Sequence, residues 1–343
     1  MAKAAKNVET ESTPQTPPST GSRTALVLGG GGVLGAAWSV GALCALQETR
    51  GIDPSNVDII VGTSAGSVLG SLLAAGVSPH QLKSHQEGVP ITEGPLAGYA
   101  WDYESATGGS RPSMPRLRGP GSIKLIGSSL RQAFRMPPTA VLSAFLPVGT
   151  GSLDRVGHLI DAITPMDAWS PHADLRIVAM DYDEGQRVVF GEPQAPEAPL
   201  SQAVMASCAI PGWFEPVTIN GRTYVDGGAW SATSVDVLVD DGVDEVFVIA
   251  PMVSFNSDDP DSFLTRLERQ WRRRVTRRCL EEVDVVESQG AQVHVLGPGE
   301  EDLEAMGGNI METSRRLHVL ETSLRTSREA WEHGGGISWA HTG

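Results

Sequence analysis

Apolar positions along the chain fall into short uninterrupted runs separated by longer stretches with helical spacing. The run Thr24-Ala25-Leu26-Val27-Leu28 predicts a buried strand. Residues 36–48 read as a buried helix, with Trp38, Leu43 and Leu46 among small residues and Gly51 as its stop. A second apolar run, Ile59-Ile60-Val61, leads into a helical stretch at 68–75, and a short helix is expected at 79–87. Farther on, the pattern predicts a helix ending at Ile163, strands at 175–180 and 186–190, and a helix at 200–207. A hairpin follows, with arms at 217–219 and 222–225 joined by Asn220-Gly221, the pair that a tight two-residue turn prefers. Residues 246–250 predict another buried strand. Short buried strands alternating with helices define an α/β chain with a mostly parallel sheet. Beyond residue 250 the spacing turns mostly helical, at 263–286 and 310–332, with a late strand at 292–296.

Polar composition bounds the rest. Residues 1–23 are rich in Thr, Ser, Pro, Gln and Lys and are expected to be a disordered tail, since they cannot bury enough apolar area to offset ordering. Residues 88–122 are rich in Gly, Pro and Ser and show no strand pattern. Next comes an amphipathic run with Ile123, Leu125, Ile126, Leu130 and Phe134 against Lys124, Arg131 and Arg135, and residues 139–146 are apolar again. The stretch 88–150 is thus a candidate lid insertion over a pocket, with a loop packed on the domain as the alternative. The expected organisation is a tail at 1–23, an α/β domain at 24–250, and a helical C-terminal extension at 251–343 packed on the same domain. Seven arginines between Arg266 and Arg278 are read as a solvated helix face with ion pairs, rather than as a membrane patch.

Charge and cysteine content then remove whole classes of function. The net charge of −15 leaves no global basic field for nucleic acid. Cys44, Cys208 and Cys279 lack metal-ligand spacing and read as buried thiols. No apolar run reaches the ~18 residues of a spanning helix. The N-terminal residues are polar where a signal peptide would be apolar, so a cytoplasmic location is the expectation, with peripheral contact to a membrane left open.

Three motifs carry chemistry. Gly62-Thr63-Ser64-Ala65-Gly66 sits between a predicted strand and a predicted helix, the context of a nucleophile elbow that lifts the Ser64 hydroxyl to the sheet edge. An ordinary glycine turn with an N-cap serine is the alternative. Gly29-Gly30-Gly31-Gly32 and Gly35 follow the first strand and open a helix. That spacing fits a dinucleotide fingerprint, but no acid ends the second strand to hold a ribose. It also fits a loop whose N–H groups bind an oxyanion at a helix N-terminus. Asp226-Gly227-Gly228 ends a strand and holds a carboxylate at a sheet edge with room in front of it. A turn-capping aspartate is the alternative.

In this order and spacing the motifs resemble the patatin-like phospholipase family over about residues 24–250. The glycine loop Gly30-Gly31-Gly32-Val33-Leu34-Gly35 matches its oxyanion motif, and Gly62, Ser64 and Gly66 match its nucleophile motif. Asp226, Gly227 and Gly228 match its Asp-Gly-Gly/Ala motif, and residues 206–211 look like the stretch that precedes its catalytic aspartate. The resemblance implies a three-layer α/β/α sandwich with a mostly parallel central sheet and a helical C-terminal region. It implies a serine acyl hydrolase acting on lipid esters through a Ser64–Asp226 dyad, with Gly31 and Gly32 N–H groups holding the oxyanion and with no metal or cofactor. One position departs from the pattern: Leu34 stands where the family commonly has a basic residue, which favours the broad class of carboxylic ester hydrolase over phospholipid specificity. An acyltransferase using the same dyad and a catalytically silent lipid-binding protein are the alternatives. His294, His318, His333 and His341 follow Asp226 but have no supporting motif, so a histidine triad is not expected.

Overall fold

A computed structural model of the chain describes residues 21–100, 121–132, 136–164, 169–172, 174–255 and 263–333. The tail expected at 1–23 lies almost wholly outside them, as do part of the 88–150 stretch and residue 341.

An eight-stranded sheet forms the centre. Its strands are β1 (Thr24–Leu28), β2 (Ile59–Thr63), β3 (Leu175–Asp181), β4 (Arg187–Phe190), β5 (Val217–Ile219), β6 (Arg222–Asp226), β7 (Glu245–Ile249) and β8 (Gln292–Leu296). The order is β5-β6-β3-β2-β1-β7-β8, with β4 also paired to β3. Pairs β1–β2, β1–β7, β2–β3 and β7–β8 are parallel, whereas β4 and β6 both run antiparallel to β3. The β5–β6 hairpin turns at Asn220 and Gly221, both with positive φ, as its sequence predicts.

The alternation along β1 shows why there are three layers. Leu26 and Leu28 belong to one buried cluster, and Ala25 and Val27 to another. The first face carries α1 (Gly32–Arg50), α2 (Ala65–Ala74), α6 (Asp154–Ile163), α7 (Leu200–Cys208) and α10 (Arg316–Glu332); the second carries α8 (Phe263–Glu287). Helix α1 is apolar almost all round, as a helix covered on both sides must be. It meets α10 at backbone distance, where Ser323 Oγ donates to the Trp38 carbonyl at 2.6 Å and a Cβ on Gly41 would sit 2.6 Å from the same oxygen atom. Gly51 ends α1 in the left-handed conformation, φ 67°. A short α3 (Pro79–Gln86) has a capping box between Ser78 and Gln81.

Three differences from the sequence pattern bear on function. Helix α1 begins at Gly32, inside the glycine loop, because the Gly35 N–H already reaches the Gly31 carbonyl at 2.9 Å. The helix expected from 310 begins at Arg316, after α9 (Glu300–Met306), which leaves Ile310 and Met311 in a loop where the Ile310 carbonyl accepts from Leu34 N–H. The arginine-rich helix is not wholly solvated: Arg269 and Arg272 are buried and paired with Glu268. The chain after 250 is therefore woven into the fold, since β8 extends the central sheet beside β7.

The 121–150 stretch forms α4 (Ile123–Gln132) and α5 (Pro138–Ser143), which enclose a small separate core of Leu125, Met136, Ala140, Ala144, Met180, Tyr182 and Val225. Among the described residues no helix is long and apolar enough to cross a membrane.

Candidate active site

Ser64 occupies the turn between β2 and α2 with φ 53° and ψ −125°, a strained conformation for a residue with a side chain. The turn is tight enough to require glycine on both sides. A Cβ on Gly62 would lie 2.6 Å from Ser67 Cα, and one on Gly66 only 2.0 Å from the Leu28 carbonyl oxygen. Side chains from α2 and α7 hold the strained peptide. Ser64 N–H donates to Ser207 Oγ at 2.8 Å, and Ser207 Oγ donates to the Val178 carbonyl at 2.6 Å. The Ser64 carbonyl accepts from Ser67 Oγ at 2.6 Å and from Cys208 Sγ at 3.3 Å.

Asp226 ends β6 and is buried against this turn. Its carboxylate accepts a hydrogen bond at 2.7 Å from Gly228 N–H, and the Ser64 side chain lies close enough to favour its ionised form. Burial pushes its pKa up to about 6, and the neighbouring Ser64 hydroxyl and Gly228 N–H oppose part of the rise by favouring the ionised form. Gly227 must lack a side chain because a Cβ would meet the Val178 carbonyl oxygen at 2.4 Å.

The glycine loop closes over the same place. A Cβ on Gly30 would lie 3.1 Å from Ser64 Cβ, so the loop backbone runs directly past the serine. Gly30 N–H is committed to the Ala232 carbonyl at 2.8 Å, and Leu34 N–H to Ile310. Gly31 and Gly32 N–H have no hydrogen-bond partner among the described residues, and both glycines line a cavity with Ser64 and Asp226. Gly32 needs its freedom, with φ 61° and Met311 Sδ 2.9 Å from the place of a Cβ. The Pro251 ring presses on Gly31 and Gly35, at 2.8 and 3.2 Å from where their Cβ atoms would be. Arg272 in turn holds the Pro251 carbonyl at 2.6 Å and contacts Met306 Sδ. Buried Glu282 fixes the other flank by accepting from Thr233 Oγ1 at 2.8 Å and Val235 N–H at 3.0 Å, next to the Ala232 carbonyl that Gly30 uses.

Ser64 and Gly32 lie where two mainly apolar chambers meet. One, of about 120 Å³, runs between α1, α2, α3 and α6 past Val68, Leu72, Val156 and Leu159 to His85. The other, of about 230 Å³, opens beneath α5 past Leu142, Leu146, Met252 and Trp271 and holds Asp226. All the motif residues named from the sequence thus converge, and Ser207, within the 206–211 stretch, joins them; Pro251, Arg272, Ile310 and Met311 carry no such sequence signal. His85, far upstream of Asp226 and in no motif, also lines the smaller chamber; burial and Arg316 keep its pKa low. Of those downstream histidines, His294 pairs with Glu245 at 3.0 Å and stacks on Phe247, and His333 bonds to the Glu329 carbonyl within α10. Among the described residues no three His, Cys, Asp or Glu side chains converge as metal ligands would.

This is a mostly parallel α/β/α sandwich with a serine elbow, a facing carboxylate and a glycine loop at one sheet edge. The chain belongs to the patatin-like phospholipase family, whose sequence model matches residues 26–239. Among solved structures it is similar to VipD from Legionella pneumophila, at 15% identity over 88% of this chain and 67% of that one, with a TM-score of 0.38. It is also similar to the type III effector protein ExoU, at 19% identity over 91% of this chain and 52% of that one, TM-score 0.34. ExoU from Pseudomonas aeruginosa in complex with SpcU aligns at 20% identity over 88% and 53%, TM-score 0.32. The chain spans about half the length of ExoU.

Proposed function

We propose that this chain is a serine acyl hydrolase that cleaves carboxylic esters of lipids through Ser64 and Asp226. The observation that carries the reading is that Ser64 and the buried Asp226 carboxylate line one cavity with Gly31 and Gly32, and that burial raises the Asp226 pKa to about 6. A carboxylate is ordinarily too weak a base for a serine hydroxyl, and burial moves it toward the range where it accepts a proton usefully near neutral pH. Ser64 Oγ attacks the acyl carbonyl and its proton passes to Asp226. The charge that develops on the carbonyl oxygen is met by the Gly31 and Gly32 N–H groups, which have no other partner among the described residues. As the intermediate collapses, Asp226 returns the proton to the departing alkoxide, leaving Ser64 acylated. Water then attacks the ester, giving its proton to Asp226, and the acid departs as Ser64 recovers its proton.

Lipid character is supported by the two apolar chambers at Ser64, one suited to the acyl chain and one to the leaving group. The family membership points to the same substrate class. A fluorophosphonate probe tests the reading directly. Labelling of the wild-type chain at Ser64, absent in Ser64→Ala, is the expected result; an unlabelled wild-type chain means that the serine is silent and the protein at most binds lipid.

A further inference from the structure

The α4–α5 stretch has two apolar faces, and only one is buried. Leu125, Ala140 and Ala144 point into their small core. The segment is tied down by Tyr182 Oη donating to the Ser143 carbonyl at 3.1 Å, by Ser122 N–H donating to the Ala144 carbonyl at 3.3 Å, and by Thr139 Oγ1 bonding to the Ala229 carbonyl. On the outside stand Ile123, 76% exposed, Leu142, 58%, Phe145, 56%, and Leu146, 40%. Of the seven large apolar side chains that stand exposed among the described residues, these four lie together on α4, α5 and the turn after it. Such clustering marks a binding surface rather than scattered exposure.

Leu142 and Leu146 belong to both the exposed patch and the lining of the chamber that holds Ser64, Gly31 and Asp226. The patch is therefore the rim of that chamber. We propose that it docks onto a lipid surface by apolar insertion, so that the acyl ester passes from the lipid layer to Ser64 without crossing water. A protein segment or a second copy seated on Leu142 and Leu146 would close the mouth it covers, whereas a lipid layer supplies what the chamber takes. Insertion is not driven by net charge, which is −15. Lys124, beside Ile123 on α4, is already paired with Asp183 at 2.8 Å. Docking therefore needs no anionic lipid and survives high salt, as apolar interfacial binding does. The delivery role rests on the hydrolase reading; the docking itself does not.

The test is flotation of the full chain with vesicles of phosphatidylcholine alone, at low and high salt, beside an Ile123→Glu/Phe145→Glu double variant. Neither substituted residue lines the chamber. The expected result is wild-type binding at both salt levels, also for Ser64→Ala, and at least a tenfold loss in the double variant. Hydrolysis of vesicle-borne ester falls in parallel, while kcat/KM on a water-soluble short-chain p-nitrophenyl ester is unchanged. Absent wild-type binding, binding only to vesicles with anionic lipid, or undiminished binding by a folded double variant would overturn the proposal. So would a wild-type dimer that the double variant dissolves, because the patch would then face a second copy. If vesicles bind but no ester is cleaved, the hydrolase reading fails and the docking surface stands.

Discussion

Thr63 and Asp226 lie end to end along one side of β3, opposite its consecutive residues Val178 and Ala179. Strand β2 runs parallel to β3 and β6 antiparallel, so the two approach head-on and their C-terminal ends meet. The same stretch of β3 pairs with β4 on its other side, which leaves this side for β2 and β6 in succession. The residue after Thr63 is Ser64, so the meeting of two strand ends delivers the hydroxyl to the carboxylate. Ser207 Oγ seals the joint by bonding the Ser64 amide to the Val178 carbonyl.

Ser64→Ala is expected to remove hydrolysis and fluorophosphonate labelling while the fold persists. Ser64→Gly is expected to be equally inactive but to melt at a higher temperature than Ser64→Ala. Glycine relieves the positive φ of 53°, a strain on the order of 1–3 kcal/mol. Thermal melts of the two variants, followed side by side, check this; equal melting temperatures would mean that the elbow stores no strain.

Asp226 ties activity and stability to pH in opposite directions. Its pKa rises from 3.8 to about 6 on folding, so between those values the folded chain holds a proton that the unfolded chain releases. Stability from this group is fully present below pH 3.8 and declines as pH rises through 6. In the proposed mechanism hydrolysis needs the ionised base, so kcat/KM is expected to climb through about pH 6 and level off above it. Asp226→Asn should therefore lose activity yet, near neutral pH, gain stability of up to about 3 kcal/mol for two pKa units. Denaturant titrations at acid and neutral pH give the sign. Single substitutions of His294, His318, His333 or His341 are expected to leave hydrolysis intact.

Gly32→Ala and Gly31→Ala should lower kcat by on the order of 10²–10³ with little change in KM, because the N–H groups they displace act on charge that forms only during attack. Gly66→Ala is different in kind. Its Cβ would sit 2.0 Å from the Leu28 carbonyl, backbone against backbone, so the expected loss is of folded protein. Soluble yield and melting temperature separate the two effects, and steady-state kinetics on a p-nitrophenyl ester read the first. A raised KM with unchanged kcat would remove the glycine loop from the chemistry.

Arg272 is expected to be a positioning residue. It holds the Pro251 carbonyl, and the Pro251 ring presses the glycine loop into place. Arg272→Met removes one of the two arginines that pair with half-buried Glu268 and is expected to lower stability. In whatever folds, kcat should fall more than KM rises, and Arg272→Lys should restore stability better than turnover, since an ammonium lacks the planar fork. Equal recovery of both by Lys would make the arginine purely structural.

Local sequence determined much of this protein. Short uninterrupted apolar runs and period-3.6 spacing placed the strands and most helices, Asn220-Gly221 dictated its hairpin, and the glycines at 62 and 66 marked an elbow that no bulkier residue can form. These are short-range properties, set by backbone sterics and by which face each side chain must bury. Only the tertiary structure decided that Ser64 and Asp226, far apart in the chain, share one side of β3, because strand order and direction are long-range pairings that no local pattern encodes. It also decided that Pro251, Arg272 and Ile310 buttress the glycine loop. Their sequence neighbourhood reads as an ordinary helical extension. Burial decided the rest: it hid two arginines of an apparently solvated face, left apolar residues of α4 and α5 in the open, and raised the pKa of the Asp226 carboxylate to about 6.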